Sequence, residues 1–289
     1  MHKEDIVETA EHWDLVIKPK NKWYQLDLAS VWHYKDLLML LVRRDFVSVY
    51  KQTILGPLWL FVQPILTTLT FTIIFGNIAH ISTDGIPPML FYLAGITLWT
   101  YFSDCLNKTS NTFVANAGVF GKVYFPRLVM PLSVLVSNLV KLGIQMLLFI
   151  ITWIYFLLKG GTFQPNYAYL FFIPILILMM AGLGLGFGIL ISSLTTKYRD
   201  LTFLVGFGVQ LMMYASPIVY PLSTVPKKYE MILLLNPVTS IIEGFKFVFL
   251  GTGLWNWYAL LYSVVVMLVL LLISLLIFKR VEKTFMDTV

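Results

Sequence analysis

Three stretches of this chain run for the thickness of a lipid bilayer without a charged side chain: Pro57 to Phe75, Leu201 to Tyr220 and Trp255 to Phe278. A helix needs about 20 apolar residues to cross the hydrocarbon core, whereas the helices of soluble proteins carry a polar face. We therefore predict that these stretches are transmembrane helices. Hydrophobic residues make up 58% of the 289-residue chain, so further spans are expected.

Three more apolar blocks complete the predicted membrane part: Ile86 to Phe102, Leu128 to Leu158 and Tyr167 to Leu194. The middle block is longer than a perpendicular crossing requires, so it is expected to tilt or to extend beyond the hydrocarbon. It also contains Lys141, which must face a cavity or a partner group that the sequence does not identify. The predicted fold class for residues 57–289 is an all-α integral membrane protein with six transmembrane helices.

The positions of Lys and Arg predict the orientation, because basic residues that flank spans are retained on the cytoplasmic side. With both termini in the cytoplasm, only Lys159, Lys227, Lys228 and Lys246 fall outside. The net charge of +6 then reflects attraction to the anionic inner leaflet, and no nucleic-acid partner is expected. With Cys105 as its one cysteine the chain can form no internal disulfide, and it lacks the Cys and His spacing of a zinc site.

Residues 1–56 precede the first span and are too long and too charged for a cleaved signal peptide. Within them, Leu26 to Val49 mixes apolar with charged residues, which is typical of a helix that lies in the membrane interface. We predict a cytoplasmic amino-terminal segment that contains an amphipathic interface helix and contacts membrane lipids.

The connection from Asn107 to Phe120 alternates small polar residues with Phe and Val. This pattern predicts a short cytosolic helix with an exposed apolar edge. Such an edge either binds a partner or packs beneath the membrane domain, and periodicity alone does not decide between the two.

Residues 222–254, after Pro221, are apolar but broken by prolines and glycines, and neither apolar half is long enough to cross. We predict two short helices joined by Asn236-Pro237 that enter from the outer face and return, because irregular backbone at membrane depth has to be covered by protein or water. Pro221, Asn236 and Pro237 are the residues assigned to this external gate. The alternative is an ordinary surface loop.

Two stripes combine aromatic rings with hydrogen-bonding groups on one helical face each. They are Trp59, Gln63, Thr67 and Thr70 in the first span, and Phe203, Phe207, Gln210, Tyr214 and Pro217 in the fifth. Lipid favours neither Gln63 nor Gln210, so both are expected to face protein or a wet cavity. Rings with amides and hydroxyls suit a sliding sugar chain, whereas an ion path needs carboxylates or carbonyls. The alternative is that these residues join helices.

The chain contains no Gly-x-x-x-x-Gly-Lys-[Ser/Thr] motif, so it does not bind ATP in the manner of a P-loop. ATP-driven work would have to come from another polypeptide. No catalytic residues are predicted either, because Asp104, Asp200, Glu230 and Glu243 are scattered over both membrane faces. A membrane-embedded glycan-modifying enzyme is therefore disfavoured.

A series of short motifs in fixed order resembles the permease subunits of ABC transporters that export polysaccharides, in the O-antigen and teichoic-acid group. The motifs are Arg44-Asp45, Tyr50-Lys51-Gln52-Thr53, Asn116-Ala117, Lys122-Val123-Tyr124-Phe125-Pro126-Arg127, Lys197-Tyr198-Arg199-Asp200, Ser216-Pro217, Tyr220-Pro221, Asn236-Pro237 and Glu243-Gly244-Phe245-Lys246. The resemblance implies a homodimer in the bacterial inner membrane and two separate P-loop ATPase subunits that bind ATP and Mg²⁺. It also implies an undecaprenyl-diphosphate-linked glycan as cargo. A small-molecule or drug exporter of similar topology is the alternative.

The same resemblance assigns roles to individual residues. Residues 107–121 resemble the coupling helix that docks on the ATPase, with Asn116, Val119, Phe120 and Lys122 as contacts. The stripes of the first and fifth spans would line the channel. A cluster at the cytosolic entrance would attract the diphosphate, and it consists of Arg43, Arg44, Lys51, Lys197, Tyr198 and Arg199. These side chains could equally be positive-inside anchors.

Overall fold

The computed structural model describes residues 28–51, 54–120, 125–161, 163–195, 198 and 200–284, and every regular element in these ranges is helical. The α-helices are α1 (Leu28–His33), α2 (Lys35–Tyr50), α3 (Trp59–Phe71), α4 (Pro88–Ser110), α5 (Thr112–Ala115), α6 (Ala117–Phe120), α7 (Val129–Leu158), α8 (Ile173–Thr195), α9 (Leu201–Tyr214), α10 (Lys227–Leu234), α11 (Pro237–Leu250) and α12 (Trp257–Thr284). A π-helical turn, Thr72–Ile78, continues α3, and a 3₁₀ turn, Tyr167–Phe172, precedes α8.

Five helical stretches are long and apolar enough to cross a membrane: Gly56–Ile78, Pro88–Ser110, Val129–Leu158, Tyr167–Thr195 and Trp257–Val281. They match the first four predicted spans and the sixth, which confirms an all-α multi-pass membrane protein.

The second span is longer than predicted, since α4 continues past Phe102 to Ser110. The added turns are polar in sequence, but Thr109 and Ser110 are buried. Contacts with α7 and α8 therefore maintain the helix beyond the point where hydropathy falls.

The fifth predicted span is shorter than expected, because α9 ends at Tyr214 rather than Tyr220. At 1.5 Å per residue its 14 residues reach roughly 21 Å, less than the hydrocarbon thickness of about 30 Å. The chain continues as buried turns through Pro217 and Ile218. Ile218 packs on Gly95 of α4, where a β-carbon would lie 3.1 Å from its side chain. Protein thus covers this irregular backbone, as membrane depth requires.

The two short helices predicted between spans five and six are present as α10 and α11, and they meet at an angle of 103° at Asn236-Pro237. The α10 helix is mostly exposed, whereas α11 is almost entirely buried. That this pair enters the membrane from the outer face stays a prediction.

The bundle is organised around α4, which packs against α3, α7, α8, α9 and α11. Close approach of α8 depends on glycines on two faces. A β-carbon at Gly184 would lie 2.8 Å from Cys105 of α4, and one at Gly186 would lie 3.0 Å from Leu270 of α12. The Gly-x-Gly-x-Gly-x-Gly pattern beginning at Gly182 thus permits α8 to contact two neighbours at once.

A second apolar cluster closes the end of the bundle that carries α2. The rings of Phe113 in α5 and Phe278 in α12 stack with centroids 4.7 Å apart, and Val31 and Leu41 pack in the same cluster. The segment between α4 and α7 is therefore tied to the last helix of the chain.

Candidate functional site

The first predicted stripe lies on one exposed face of α3. Trp59 is 46% exposed, Gln63 is exposed, and Thr67 is half-buried and donates a hydrogen bond to the Gln63 carbonyl at 2.9 Å. The opposite face presents Leu60 and Pro64 to the bundle, where both are buried. The helical period therefore predicted correctly that Trp59, Gln63 and Thr67 share one face of α3. The described part of the chain does not cover this face.

The second stripe, on α9, is more exposed still. Phe203 is 83% exposed, Phe207 61% and Tyr214 48%, and Gln210 is exposed beside them. Val209 is the one residue of α9 that is buried. Pro217, predicted as the end of this stripe, lies in the buried turns after α9 instead.

Both α3 and α9 pack against α4, so the two stripes flank the same central helix. Each stripe exposes a glutamine amide beside aromatic side chains. An amide without a hydrogen-bond partner costs several kcal/mol in hydrocarbon, roughly 4–8 by transfer to cyclohexane. These faces therefore require a cover of protein, water or a polar ligand.

The residues predicted as an external gate lie at the junction of α9 and α11. Pro221 and Pro237 are buried, and Asn236 is half-buried between them. The Asn236 side chain accepts a hydrogen bond from the Val238 N–H at 3.1 Å, which caps α11. Its amide nitrogen donates to Ser216 Oγ at 2.9 Å, so one side chain joins the start of α11 to the turns after α9.

A buried charged network lies beside this junction. Lys246 in α11 is 1% exposed, although its charge had placed it among the external lysines. Its ammonium group donates to the Pro217 carbonyl, lies 3.7 Å from the Phe91 ring centroid, and is 4.0 Å from Glu243 Oε1. Glu243 Oε2 accepts the Leu254 N–H at 3.2 Å. The network therefore connects α11 to α4 and to the irregular turns, and it compensates a charge that would otherwise be unpaired.

The structure identifies the partner of Lys141. Its ammonium group lies 2.6 Å from Asp104 Oδ2 on α4. One turn further along α4, Lys108 donates a hydrogen bond to Asn138 Oδ1 of α7 at 2.9 Å. The interface of α4 and α7 is therefore polar at the end of the bundle that carries α2.

The predicted coupling segment differs from a single short helix. After α4 ends at Ser110, the chain forms the one-turn helices α5 and α6. Phe120, predicted as a surface contact, is 4% exposed and packs against Phe113 and Phe125. It belongs to the apolar cluster at this end of the bundle, so its ring supports the predicted contact surface from beneath and does not form part of it. Val119 is 38% exposed, Asn116 is half-buried, and Lys122 lies outside the described residues.

The predicted entrance cluster is described in part. Arg43, Arg44, Lys51 and Tyr198 are exposed, and Arg44 forms an ion pair with Asp45 at 2.8 Å. Lys197 and Arg199 lie outside the described residues. Within the described ranges, no group of three or more His, Cys, Asp or Glu side chains could hold a metal ion.

The model of the ABC-2 type transporter family matches residues 36–250, which is most of the chain. The chain belongs to the ABC-2 type transporter family. It is 29% identical over 252 residues to the O-antigen export system permease protein RfbA of Klebsiella pneumoniae, covering 87% of this chain and 94% of that protein. It is 26% identical over 264 residues to the protein of the same name from Myxococcus xanthus, with 91% and 98% covered. It is also 26% identical over 252 residues to the polysialic acid transport protein KpsM of Escherichia coli, with 85% and 93% covered.

The family match confirms the resemblance to ABC transporter permeases. The functional residues that the motif comparison proposed within this ABC-2 chain stay predictions. Sequence reasoning missed the Lys246 network and the Asp104 partner of Lys141. Asp104 is distant from Lys141 in sequence, and the Phe91 ring and the Pro217 carbonyl are distant from Lys246, so no local pattern reveals these contacts. The pairing of Lys246 with Glu243 is the exception, because an i,i+3 spacing on a helix indicates it.

Proposed function

We propose that this chain is the membrane subunit of an ATP-driven exporter that moves a polysaccharide across the bacterial inner membrane. The observation that supports this proposal most directly is the set of relatives, which are named for export of O-antigen and transport of polysialic acid and match over most of their length. None of the sequence features favours the small-molecule exporter over this cargo class.

Two copies of the chain would form the path, with the stripes of α3 and α9 turned toward each other or toward the cargo. The exposed rings of Phe203 and Phe207 offer flat apolar faces for the CH faces of sugars. The amides of Gln63 and Gln210 can exchange hydrogen bonds with sugar hydroxyls as the chain slides. A path between two copies also satisfies the requirement that these amides are not left in lipid.

The energy would come from two P-loop ATPase chains that bind ATP and Mg²⁺ on the cytoplasmic side, where both termini of this chain would lie. The exposed apolar side chains Val114 and Val119 are the best candidates for contact with the ATPase, and Asn116 lies between them. Phe120 would act beneath the surface, because it packs on Phe113, which stacks on Phe278 of α12. Movement of α5 and α6 would therefore be transmitted directly to α12.

The cargo would be an undecaprenyl-diphosphate-linked glycan, attracted by the cations at the cytosolic entrance. The bent pair α10 and α11 would form the gate on the outer side, held by Asn236. Opening would require the turns after α9 to move, because Ser216 and Pro217 are bonded to α11.

Deletion of the gene in its native host tests the proposal. We expect lipid-linked glycan to accumulate on the cytosolic side and surface polymer to be lost, with recovery by the wild-type gene. Unchanged surface glycan together with altered efflux of small molecules would reject the polysaccharide cargo.

A point variant tests the ATPase contact separately. Val119→Asp is expected to abolish export while the protein remains folded, because it places a charge on an exposed apolar contact. Val119→Thr, which keeps the size of this exposed side chain without adding a charge, is the control and should export normally. Normal export by Val119→Asp would remove the contact but leave the cargo assignment intact.

A further inference from the structure

A cleft of about 460 Å³ opens between α2, the end of α4, α5 and the start of α7. This volume is within the range of roughly 300–1,000 Å³ that is common for ligand sites. Its floor includes the buried residues Met130 and Ser133, and its rim carries Arg44 and Lys108. None of the predicted roles in transport accounts for this cleft as a whole.

The cleft is rich in hydrogen-bond donors that are only partly used. Arg44 donates from Nε and Nη2 to one oxygen of Asp45, at 3.0 and 2.8 Å, which fixes the guanidinium and leaves its Nη1 hydrogens. Lys108 uses one of three ammonium hydrogens on Asn138. The two cations outnumber the single carboxylate in the lining, so the cleft favours an anion.

Side-chain amides extend this donor set along the wall. Asn111 donates one amide hydrogen to the Asn107 carbonyl at 3.2 Å, and Asn116 donates one to the Thr112 carbonyl at 2.9 Å. Each amide nitrogen carries a second hydrogen. Arg, Lys and amide donors converging on one small space are the groups that bind phosphate oxygens.

The cleft adjoins a surface that fits lipid chains. On α2, Met39, Leu40 and Val47 are 60%, 62% and 45% exposed and lie on one side of the helix, with the exposed Arg43 between Met39 and Val47. Arg44 lies next to that face in the helical projection. Apolar side chains exposed in this way on an interfacial helix contact acyl chains, so a ligand at the rim can have its charged end in the cleft and its chains on α2.

We propose that the cleft binds the phosphate group of a membrane lipid, with Arg44 and Lys108 as its charged contacts and the Asn111 and Asn116 amides along its wall. The bound lipid joins α2 to the end of α4 and to α5, next to the segment proposed to contact the ATPase. Arg44 also belongs to the predicted cytosolic entrance, whereas Lys108 and the two amides do not, so the Lys108 variant separates this site from the entrance.

Native mass spectrometry of the full-length chain in detergent tests the site, with dioleoyl phosphatidic acid as the probe. We expect one saturable lipid per chain. Dioleoylglycerol, which has the same chains without the phosphate, should not bind. Inorganic phosphate should neither bind nor compete at equal concentration. Binding of dioleoylglycerol would overturn the phosphate assignment, and equal competition by inorganic phosphate would overturn the lipid as its source.

Matched variants locate the site. Arg44→Gln and Lys108→Gln should each weaken phosphatidic acid binding about tenfold, the effect of losing one charge-assisted hydrogen bond. Arg280→Gln on α12 and Lys35→Gln on α2 remove the same charges from exposed positions that do not line the cleft, and they should change binding less than about twofold. Equal weakening by all four variants, or none by the first two, would overturn the proposal. Melting curves of each variant confirm that the chain remains folded.

Discussion

The helices α9 and α11 have the same length of 14 residues and opposite surroundings. The α9 helix contains no charged residue, yet only Val209 is buried. The α11 helix contains Glu243 and Lys246, yet all of its residues except Phe247 are buried. In a membrane protein, an uncharged helix can be covered by lipid, cargo or a second copy of the chain, whereas a charged one needs polar partners close by. Burial within one subunit therefore follows the need for polar partners more closely than it follows hydropathy.

The largest effect is expected when the charge of α11 loses its partner. Lys246→Met leaves Glu243 buried without a cation, which costs about 3–5 kcal/mol for a broken buried pair. Thermal melting of the purified protein in detergent should show this loss. Lys227→Met, which removes an exposed cation from α10, is the control and should melt with the wild type.

A second change can restore part of that loss. Lys246→Met combined with Glu243→Gln removes both charges, so the double variant should be more stable than Lys246→Met alone. A double variant no better than the single one would mean that the lysine acts through the Pro217 carbonyl and the Phe91 ring rather than through the ion pair.

Truncation of one phenylalanine in each helix should separate stability from transport. Phe245 is fully buried and packs on Phe149 and Phe249, with centroids 5.4 and 4.9 Å away. Phe245→Ala should cost about 3–4 kcal/mol, as large-to-small core changes do. Phe207→Ala on α9 should cost less than about 0.5 kcal/mol and reduce export instead. Equal destabilisation by both would contradict the difference between the helices.

The smallest effect is expected at Asn236, which joins α11 to the turns after α9. Asn256, which caps α12, provides the comparison. Asn256→Ala removes the cap of α12, where Asn256 accepts from the Tyr258 N–H at 2.9 Å, and should cost about 1 kcal/mol. Asn236→Ala removes a similar cap and also the bond to Ser216, so a loss of about 2 kcal/mol is expected. Melting midpoints of the two variants compare them directly, and equal midpoints would mean that the Ser216 bond contributes nothing.

The long spans and the faces of α3 and α9 could be predicted from the sequence, because the length of an uncharged stretch and the helical period are local properties. The end of α4 could not be predicted in the same way. Polar residues from Ser103 onward lower the hydropathy, but the helix continues because Asp104 meets Lys141 of α7. The sequence did not identify Asp104 as the partner of Lys141, because the two residues lie 37 positions apart and only the packing of α4 on α7 brings them together.

Burial of Phe120 and Lys246 depends on residues from distant parts of the chain. The cluster around Phe120 includes Phe278 in the last span, and Lys246 reaches Phe91 in the second. The alternation around Phe120 predicted an apolar edge correctly but could not tell which of its members the bundle covers. Counting basic residues likewise assigns Lys246 to one side of the membrane, but it gives no information on whether the side chain is buried.

The dependence of α11 on α4 has a consequence for biosynthesis. A helix with a carboxylate and an ammonium group is poorly retained in the bilayer by itself. The ring of Phe91 and the carbonyl of Pro217 both precede Lys246 in the chain, so the surface that accepts the ammonium group has left the ribosome before the lysine does. The partners of the ammonium group are therefore assembled in the direction of translation, and the Leu254 N–H that Glu243 accepts follows 11 residues after the carboxylate.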